Sequence, residues 1–285
     1  MRSTASRAGG RAARRLPAYH GAAPGALAGA EAMVEGVAAR GRPAIRWCTT
    51  APPALYLGAS QKPAAVDAAA CRAAGIAVYK RASGGTVVLA DEGLLGLDVV
   101  VPPDDPLWLD DLTQSYRWLG AAWSEALRSF GVPATLVSVQ AARADARDAS
   151  AEARLARAAC FGALSPFEVT VQGRKVVGLA QVRRRTGALF QAATLLRWAP
   201  AQLSALLALP QDERSRLGAA LHARAVGLDE YLARPVSRAA IIAAVEAALS
   251  ARGLTLEDAA WTPAEQAFTA RLIAERYQPL ALGSS

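Results

Sequence analysis

The chain of 285 residues is poor in several residue types, and each shortage excludes a class of protein. Its three cysteines, Cys48, Cys71 and Cys160, are too few for a disulfide framework and form no CxxC zinc motif. Its two histidines, His20 and His222, are too few for a histidine-based metal centre and do not favour a Ser-His-Asp triad. Charged residues interrupt every alanine-rich stretch, so no transmembrane helix is predicted. These shortages favour a globular protein of the reducing cytoplasm with no metal site.

Lysine is equally scarce, since only Lys62, Lys80 and Lys175 occur among the 32 basic residues. In a chain that otherwise uses arginine, a retained lysine can mark a position that needs a compact ammonium group rather than a planar guanidinium. This argument singles out Lys175 first and Lys80 second as candidate functional residues.

The net charge of +8 is unevenly distributed. Residues 1–20 contain five arginines and no acidic residue, so the rest of the chain is only mildly basic. Outside this segment no stripe of lysine and arginine predicts nucleic-acid binding. Residues 1–22 are therefore predicted to form a basic, disordered tail.

The spacing of apolar residues predicts a mixture of helices and strands. Helices are predicted over 24–40 and 64–74. Strands separated by turns are predicted over 44–57, 76–101 and 167–196, with a tight hairpin at Gln172 and Gly173. Apolar residues at helical spacing predict one long helix over 107–130. From residue 200 onward the pattern is helical, and Thr262-Pro-Ala-Glu265 is typical of a capping box at a helix start. The chain is thus predicted to be α+β with a helical C-terminal part.

A loop of small residues, Arg81-Ala-Ser-Gly-Gly-Thr86, joins two predicted strands. Its backbone amides are suited to an acyl carbonyl, a carboxylate or a phosphate, with Arg81 as a cation beside them. The spacings GxxxxGK[ST] and GxGxxG are absent, so the loop is not a nucleotide-phosphate loop of either type. An ordinary bent turn remains the alternative.

Cys160 lies just before the predicted strand that begins at Phe167. Most free cysteines are small buried hydrophobic residues, and that is the alternative here. A catalytic Cys160 would need a nearby cation, because a thiol of pKa ~8.5 is only partly ionised at neutral pH. No histidine is close in sequence, so Lys175, one hairpin away, is the candidate cation.

Several segments follow the order of motifs in one known superfamily. Pro52-Pro53-Ala-Leu-Tyr-Leu-Gly58 with Gln61 is similar to PPxxxxGxxQ, Lys80-Arg81-Ala-Ser-Gly-Gly85 to RRxSGG, and Gly173-Arg174-Lys175-Val-Val-Gly178-Leu-Ala-Gln181 to GRKxxGxAQ. Cys160-Phe161, followed by Ser165-Pro166-Phe-Glu168, is similar to a CFxxPSxYE element. The chain therefore resembles the biotin/lipoate protein ligase superfamily over about residues 24–280, most closely the lipoate ligase and octanoyltransferase branch.

The resemblance implies an α+β fold with a mixed, largely antiparallel sheet packed with helices. The catalytic domain would span residues 23–200, and residues 201–285 would form a helical C-terminal part of the same domain. The implied catalytic residues are Cys160 and Lys175. The implied substrate-binding residues are Arg81, Ser83, Gly84, Gly85, Gly178 and Gln181.

The resemblance further implies an acyltransferase without a cofactor. Cys160 would accept an octanoyl or lipoyl group from acyl carrier protein and pass it to a lysine of a lipoyl-domain protein. Lys175 and the amides of the Gly84-Gly85 loop would stabilise the thiolate and the oxyanion. An apolar tunnel is expected, for which the candidate lining residues are Leu57, Val78, Val88 and Leu179.

Two other functions remain open. An ATP-dependent lipoate–protein ligase would form an acyl-adenylate, would need Mg²⁺ and would not need the cysteine. A non-catalytic member of the family is the second alternative, because Ala90, Leu179 and Ala192-Ala193 stand where the family often has polar side chains. Neither a membrane nor a nucleic acid is expected as a partner.

Overall fold

A large sheet forms the centre of the computed structural model, which describes residues 11–232, 234 and 236–283. The strands are β1 (Arg11–Arg15), β2 (Tyr19–Gly21), β3 (Ala44–Thr50), β4 (Ala54–Leu57), β5 (Ala77–Lys80), β6 (Val88–Ala90), β7 (Leu94–Val101), β8 (Ala134–Leu136), β9 (Val169–Val171), β10 (Arg174–Arg184), β11 (Gly187–Leu195) and β12 (Leu254–Asp258). The helices are α1 (Ala23–Arg40), α2 (Ala68–Ala73), α3 (Arg117–Arg128), α4 (Val139–Arg147), α5 (Ala151–Ala156), α6 (Pro200–Ala205), α7 (Gln211–Arg224), α8 (Arg238–Ser250) and α9 (Pro263–Glu275).

The large sheet has the order β12-β1-β3-β7-β11-β10-β9-β8, and β2 also pairs with β3. All pairs from β3 through to β8 are antiparallel, whereas β1 and β2 run parallel to their neighbours. A small sheet has the order β5-β4-β6. The predicted fold class, a mixed and largely antiparallel sheet packed with helices, is confirmed.

Each face of the large sheet is covered by helices. On one face α3 and α8 pack through Trp123 and Val245, both fully buried, against strand residues such as Val99. On the other face α1 packs through Met33 and Val37. Side chains alternate between the two faces along each strand, so every second strand residue lies on the face that carries α1. None of the helices within the described ranges is both long and apolar enough to cross a membrane.

The tight hairpin between β9 and β10 forms where the sequence predicted it. Gln172 and Gly173 both have positive φ, at 51° and 79°, which is the geometry of a two-residue type I′ turn. The predicted capping box is also confirmed. The hydroxyl of Thr262 accepts from the amide of Glu265 at 3.2 Å, and the Thr262 amide donates to the Glu265 carboxylate at 2.8 Å.

The prediction of one helix over 107–130 is wrong in its first half. Only residues 117–128 form α3, and the residues before them form turns and a short 3₁₀ helix, Gln114–Tyr116. The side chain of Asp105 accepts the amide of Leu107, and that of Asp111 accepts the amides of Thr113 and Gln114. Such local side-chain bonds compete with helical hydrogen bonding.

The prediction of a disordered tail over 1–22 is wrong for residues 11–21, while residues 1–10 lie outside the described part of the chain. Strand β1 lies between β12 and β3, and β2 pairs with β3. The arginines that indicated a solvated tail have acidic partners far along the chain. Arg14 forms a buried ion pair with Glu265 at 2.6 Å, and Arg15 contacts Glu246 and Asp258.

Candidate functional site

A cavity lies over the large sheet, enclosed above by α1 and by the small sheet. Its floor follows one row of paired residues across four strands: Cys48 on β3, Gly96 on β7, Ala193 on β11 and Gly178 on β10. Because these side chains are small or absent, the row leaves space between the sheet and its cover.

The walls of the cavity are mostly apolar. They come from α1, β6 and the start of β7, with Leu27, Val88, Ala90 and Leu94 as examples. Ala90 is one of the residues at which the chain departs from the family pattern, and here it extends the apolar wall. The structure therefore provides a space suited to a hydrocarbon chain.

Two of the four predicted lining residues do not reach this space. Leu57 and Val78 are fully buried in a neighbouring cluster around Cys71. Val88 lines the cavity, as predicted. Leu179 also borders it, although its side chain packs partly against the core on the opposite face of the sheet.

Cys160 opens a short 3₁₀ turn, Cys160–Gly162, that follows α5. Its amide donates to the carbonyl of Val87 at 2.9 Å, which fixes the turn against the residue that precedes β6. The thiol is partly exposed and lines the cavity. Gly162 allows this turn, because a Cβ there would overlap the carbonyl oxygen of Ala156.

Arg81 is the cation that lies nearest the Cys160 thiol among the contacts described. Its Nη2 atom lies 3.8 Å from Sγ, and the same guanidinium donates to the carbonyls of Gly84, at 2.8 Å, and Thr86, at 3.0 Å. Arg81 thus holds the glycine loop in shape and presents positive charge to the sulfur. Gly85, with φ of 91°, adopts the left-handed conformation that the loop requires.

Ser83 in the same loop is only 2% exposed and lines the cavity. Within the described residues its Oγ has no hydrogen-bond partner. A buried hydroxyl without a partner is unfavourable, so this atom is available to a polar group of a bound molecule. The neighbouring Gly84 and Gly85 are exposed.

Lys175, on β10, is almost fully buried and uses all three of its donors. Its Nζ atom donates to the backbone carbonyls of Cys160 and Ala163, each at 3.0 Å, and forms an ion pair with Glu168 at 2.7 Å. The expectation that Lys175 lies beside the thiol is therefore met only in part. The ammonium holds the backbone of Cys160, whereas Arg81 contacts its sulfur.

Glu168 completes this buried cluster and was not predicted as a site residue. Its carboxylate also accepts from the amides of Ser165 at 2.7 Å and Leu179 at 3.1 Å. Burial raises the pKa of Glu168 above its ordinary value, although Lys175 and the two amides favour the ionised form. The sequence signal was present, since Glu168 closes the motif that begins at Cys160.

Gln181 does not join the other predicted substrate-binding residues. It lies three positions beyond Gly178 on β10, so the alternation of side chains turns it to the opposite face of the sheet. There it accepts from the hydroxyl of Ser115 at 2.9 Å and donates to the carbonyl of Leu112. The structure therefore assigns Gln181 to anchoring the segment before α3.

A second row of the floor carries a buried ion pair that sequence reasoning missed. Arg46 and Asp98, paired on β3 and β7, lie 2.7 Å apart and are 1% and 3% exposed. Gln191 on β11 donates to the other oxygen of Asp98 at 2.8 Å. Burial, with a contribution from Asp98, raises the pKa of the Cys48 thiol to about 12. A raised pKa disfavours the thiolate form of Cys48.

Residues 23–250 match the family described as the Lipoyl protein ligase A/B catalytic domain. The chain belongs to this family. The superfamily predicted from the sequence motifs is therefore confirmed.

Two curated relatives are octanoyltransferases named LipM. The protein of Moorella thermoacetica is 33% identical over 201 residues, which cover 70% of each chain. The protein of Kyrpidia tusciae is 33% identical over 236 residues, which cover 82% of this chain and 84% of the relative. Among solved structures, a bipartite lipoate protein ligase from Thermoplasma acidophilum aligns over 93% of both chains, with a TM-score of 0.75 and 21% identity. This last similarity supports the fold.

Proposed function

We propose that this chain transfers an octanoyl group to a lysine of a lipoyl-domain protein through a thioester on Cys160. The chain is an acyltransferase of protein lipoylation, as its family and its octanoyltransferase relatives indicate. The observation that carries the proposed route is the Cys160 thiol, which lines an apolar cavity with Arg81 at 3.8 Å. Lipoyl-domain proteins are proposed as acceptors and acyl carrier protein as the donor.

In the first step the Cys160 thiolate attacks the carbonyl carbon of an octanoyl thioester. A new bond forms from Sγ to that carbon, the old carbon–sulfur bond breaks, and the carrier's thiolate leaves and takes up a proton from water. The positive charge of Arg81 favours the thiolate before attack. The unpartnered hydroxyl of Ser83 is proposed to donate to the carbonyl oxygen as it becomes negative.

In the second step the amine of the acceptor lysine attacks the acyl-enzyme. An amide bond forms, the proton of the amine is lost to water, and Cys160 leaves as a thiolate that Arg81 again stabilises. The apolar cavity holds the hydrocarbon chain through both steps, and each buried methylene contributes about 0.8 kcal/mol. Neither step requires a cofactor.

Lys175 has a positioning role in this proposal. Its ammonium holds the carbonyls of Cys160 and Ala163 and is itself held by Glu168, so it fixes the turn on which the thiol is carried. All three donors are occupied, which leaves none for the sulfur or for the oxyanion.

Intact-mass analysis tests the proposal. The full chain is incubated with octanoyl-loaded acyl carrier protein, and we expect one octanoyl adduct that is absent from Cys160→Ala and retained by Cys48→Ala and Cys71→Ala. A lipoyl domain added afterwards should remove the adduct and gain its mass.

A parallel incubation contains lipoate, ATP, Mg²⁺ and the lipoyl domain. Modification of the domain by both wild type and Cys160→Ala in this mixture, without any adduct in the first, would replace the transferase with a ligase. No modification in either mixture would leave a non-catalytic member of the family.

A further inference from the structure

The floor row of the cavity has two ends with different chemistry. At one end Gly178 lies beside the Cys160 turn, since a Cβ on it would be 3.1 Å from Cε of Lys175 and 3.6 Å from the ring of Phe161. From Gly178 the row crosses Ala193 and Gly96 and reaches Cys48. Three strand spacings span roughly 14 Å. An extended acyl chain attached to Cys160 can therefore run across the strands along this row.

The far end of the row is closed by side chains. The sulfur of Cys48 lies over Gly96, where a Cβ would approach it to 2.6 Å. On the next strand Tyr19 is paired with Cys48, and its ring lies 5.8 Å from the guanidinium of the buried Arg46 on the same face. Cys48 is thus the last small side chain before a filled region.

The glycine loop, whose Arg81 contacts the sulfur of Cys160, carries the polar atom that points to a ligand. The Ser83 hydroxyl is buried, lines this cavity and has no partner within the described residues. A bound molecule with an oxygen acceptor at one end and a hydrocarbon chain at the other would accept a hydrogen bond from Ser83 and fill the apolar row. This arrangement orients the chain with its terminal methyl group toward Cys48.

We propose that Cys48 and Gly96 set the length of the acyl chain that this protein accepts. The inference rests on the proposed function, because it takes the cavity as the acyl-chain site. The side chain of Cys48 would block the end of the row for the acyl chain. Its sulfur makes no hydrogen bond among those described, so its removal leaves no polar group without a partner.

The test measures binding of free saturated fatty acids, from six to fourteen carbons, to the full chain by calorimetry. Cys48→Ala lengthens the space, and we expect the preferred chain to become longer, with an affinity gain of about fourfold for each further methylene buried. In Cys48→Leu the larger side chain projects over Gly96, and we expect the preferred chain to become shorter. Its affinity for longer chains should fall by about fourfold for each methylene that no longer fits. Cys71→Ala is the matched control, because that thiol is buried in another cluster, and its length preference should equal that of wild type.

A second variant keeps the test decisive if Cys48→Leu does not fold. Gly96→Ala in the Cys48→Ala background adds a methyl group where the sulfur was removed, and it should return the preference toward that of wild type. Equal length preference in all these proteins, or no binding of any fatty acid to wild type, would overturn the inference. A length shift without an acyl adduct on Cys160 would support it and refute the proposed thioester instead.

Discussion

Removal of the two cations near Cys160 should separate their roles. Lys175→Met leaves Glu168 as a buried carboxylate without its ion-pair partner and leaves two backbone carbonyls without a donor. Breaking a buried pair in this way costs about 3–5 kcal/mol of unfolding free energy. That is a large share of the total of roughly 5–15 kcal/mol expected for a folded domain.

Arg81→Met removes a charge at 3.8 Å from the sulfur, but from a partly exposed position. The interaction of unit charges at that distance is about 1 kcal/mol in water and about 4 kcal/mol near a protein surface. From the smaller value, a loss of up to about fivefold in the alkylation rate of Cys160 at neutral pH is expected. Arg81→Lys retains the charge and serves as the control.

Urea unfolding measures the first effect, and the rate of iodoacetamide alkylation, with the Cys160 peptide quantified by mass, measures the second. We expect Lys175→Met to lose stability while Cys160 in the remaining folded protein reacts at close to the wild-type rate. The reverse pattern, with Cys160 slowed in Lys175→Met and unchanged in Arg81→Met, would refute the assignment of Arg81 as the thiol's cation.

Three further outcomes are expected. Burial raises the pKa of Glu265, but hydrogen bonds from Arg14 and Thr262 outweigh burial and leave that pKa below its ordinary value. Urea unfolding should therefore show that Glu265→Gln lowers the unfolding free energy by about 3–5 kcal/mol at neutral pH. This difference should shrink as the pH falls below 4.5, because the wild-type carboxylate then becomes protonated. A constant difference down to pH 3 would contradict this. Gly58→Ala pushes a Cβ into the carbonyl of Gly85 and should slow octanoylation at least tenfold in the intact-mass assay, whereas an unchanged rate would show that the loop does not serve the site. Gln181→Ala should lower the unfolding free energy by about 1 kcal/mol and leave octanoylation within twofold of wild type, since its bonds are to the segment before α3.

Local chemistry made much of the fold predictable. The hairpin at Gln172 and Gly173 and the capping box at Thr262 depend on neighbouring residues, so a short segment contains the whole signal. The position of β1 could not be predicted in this way. Its partners Glu246 and Glu265 lie more than 200 residues away, and nothing near Arg14 in the sequence indicates them.

The functional site was likewise predictable only where neighbouring residues carry the signal. The motifs identified the family and predicted that Cys160, the glycine loop and Lys175 would converge, and the structure brings all three together. The sequence could not show which cation contacts the sulfur, because one hairpin separates Lys175 from Cys160 whereas 79 residues separate Arg81 from it. Nor could it show Cys48 in the same cavity, since that requires the register of four strands.

The pairing of β1 with β12 also determines when the fold can be completed during synthesis. Five residues of β1 pair with β12, but only two pair with β3, so most of the pairing of β1 forms only after β12 has been synthesised. At about 5–20 residues per second, the interval between residues 15 and 254 is roughly 10–50 seconds. Unpaired strand edges invite association with other chains, and charged side chains oppose it. Arg11, Arg14 and Arg15 place three charged side chains on β1, the kind of residue that opposes such association while the strand edge is unpaired.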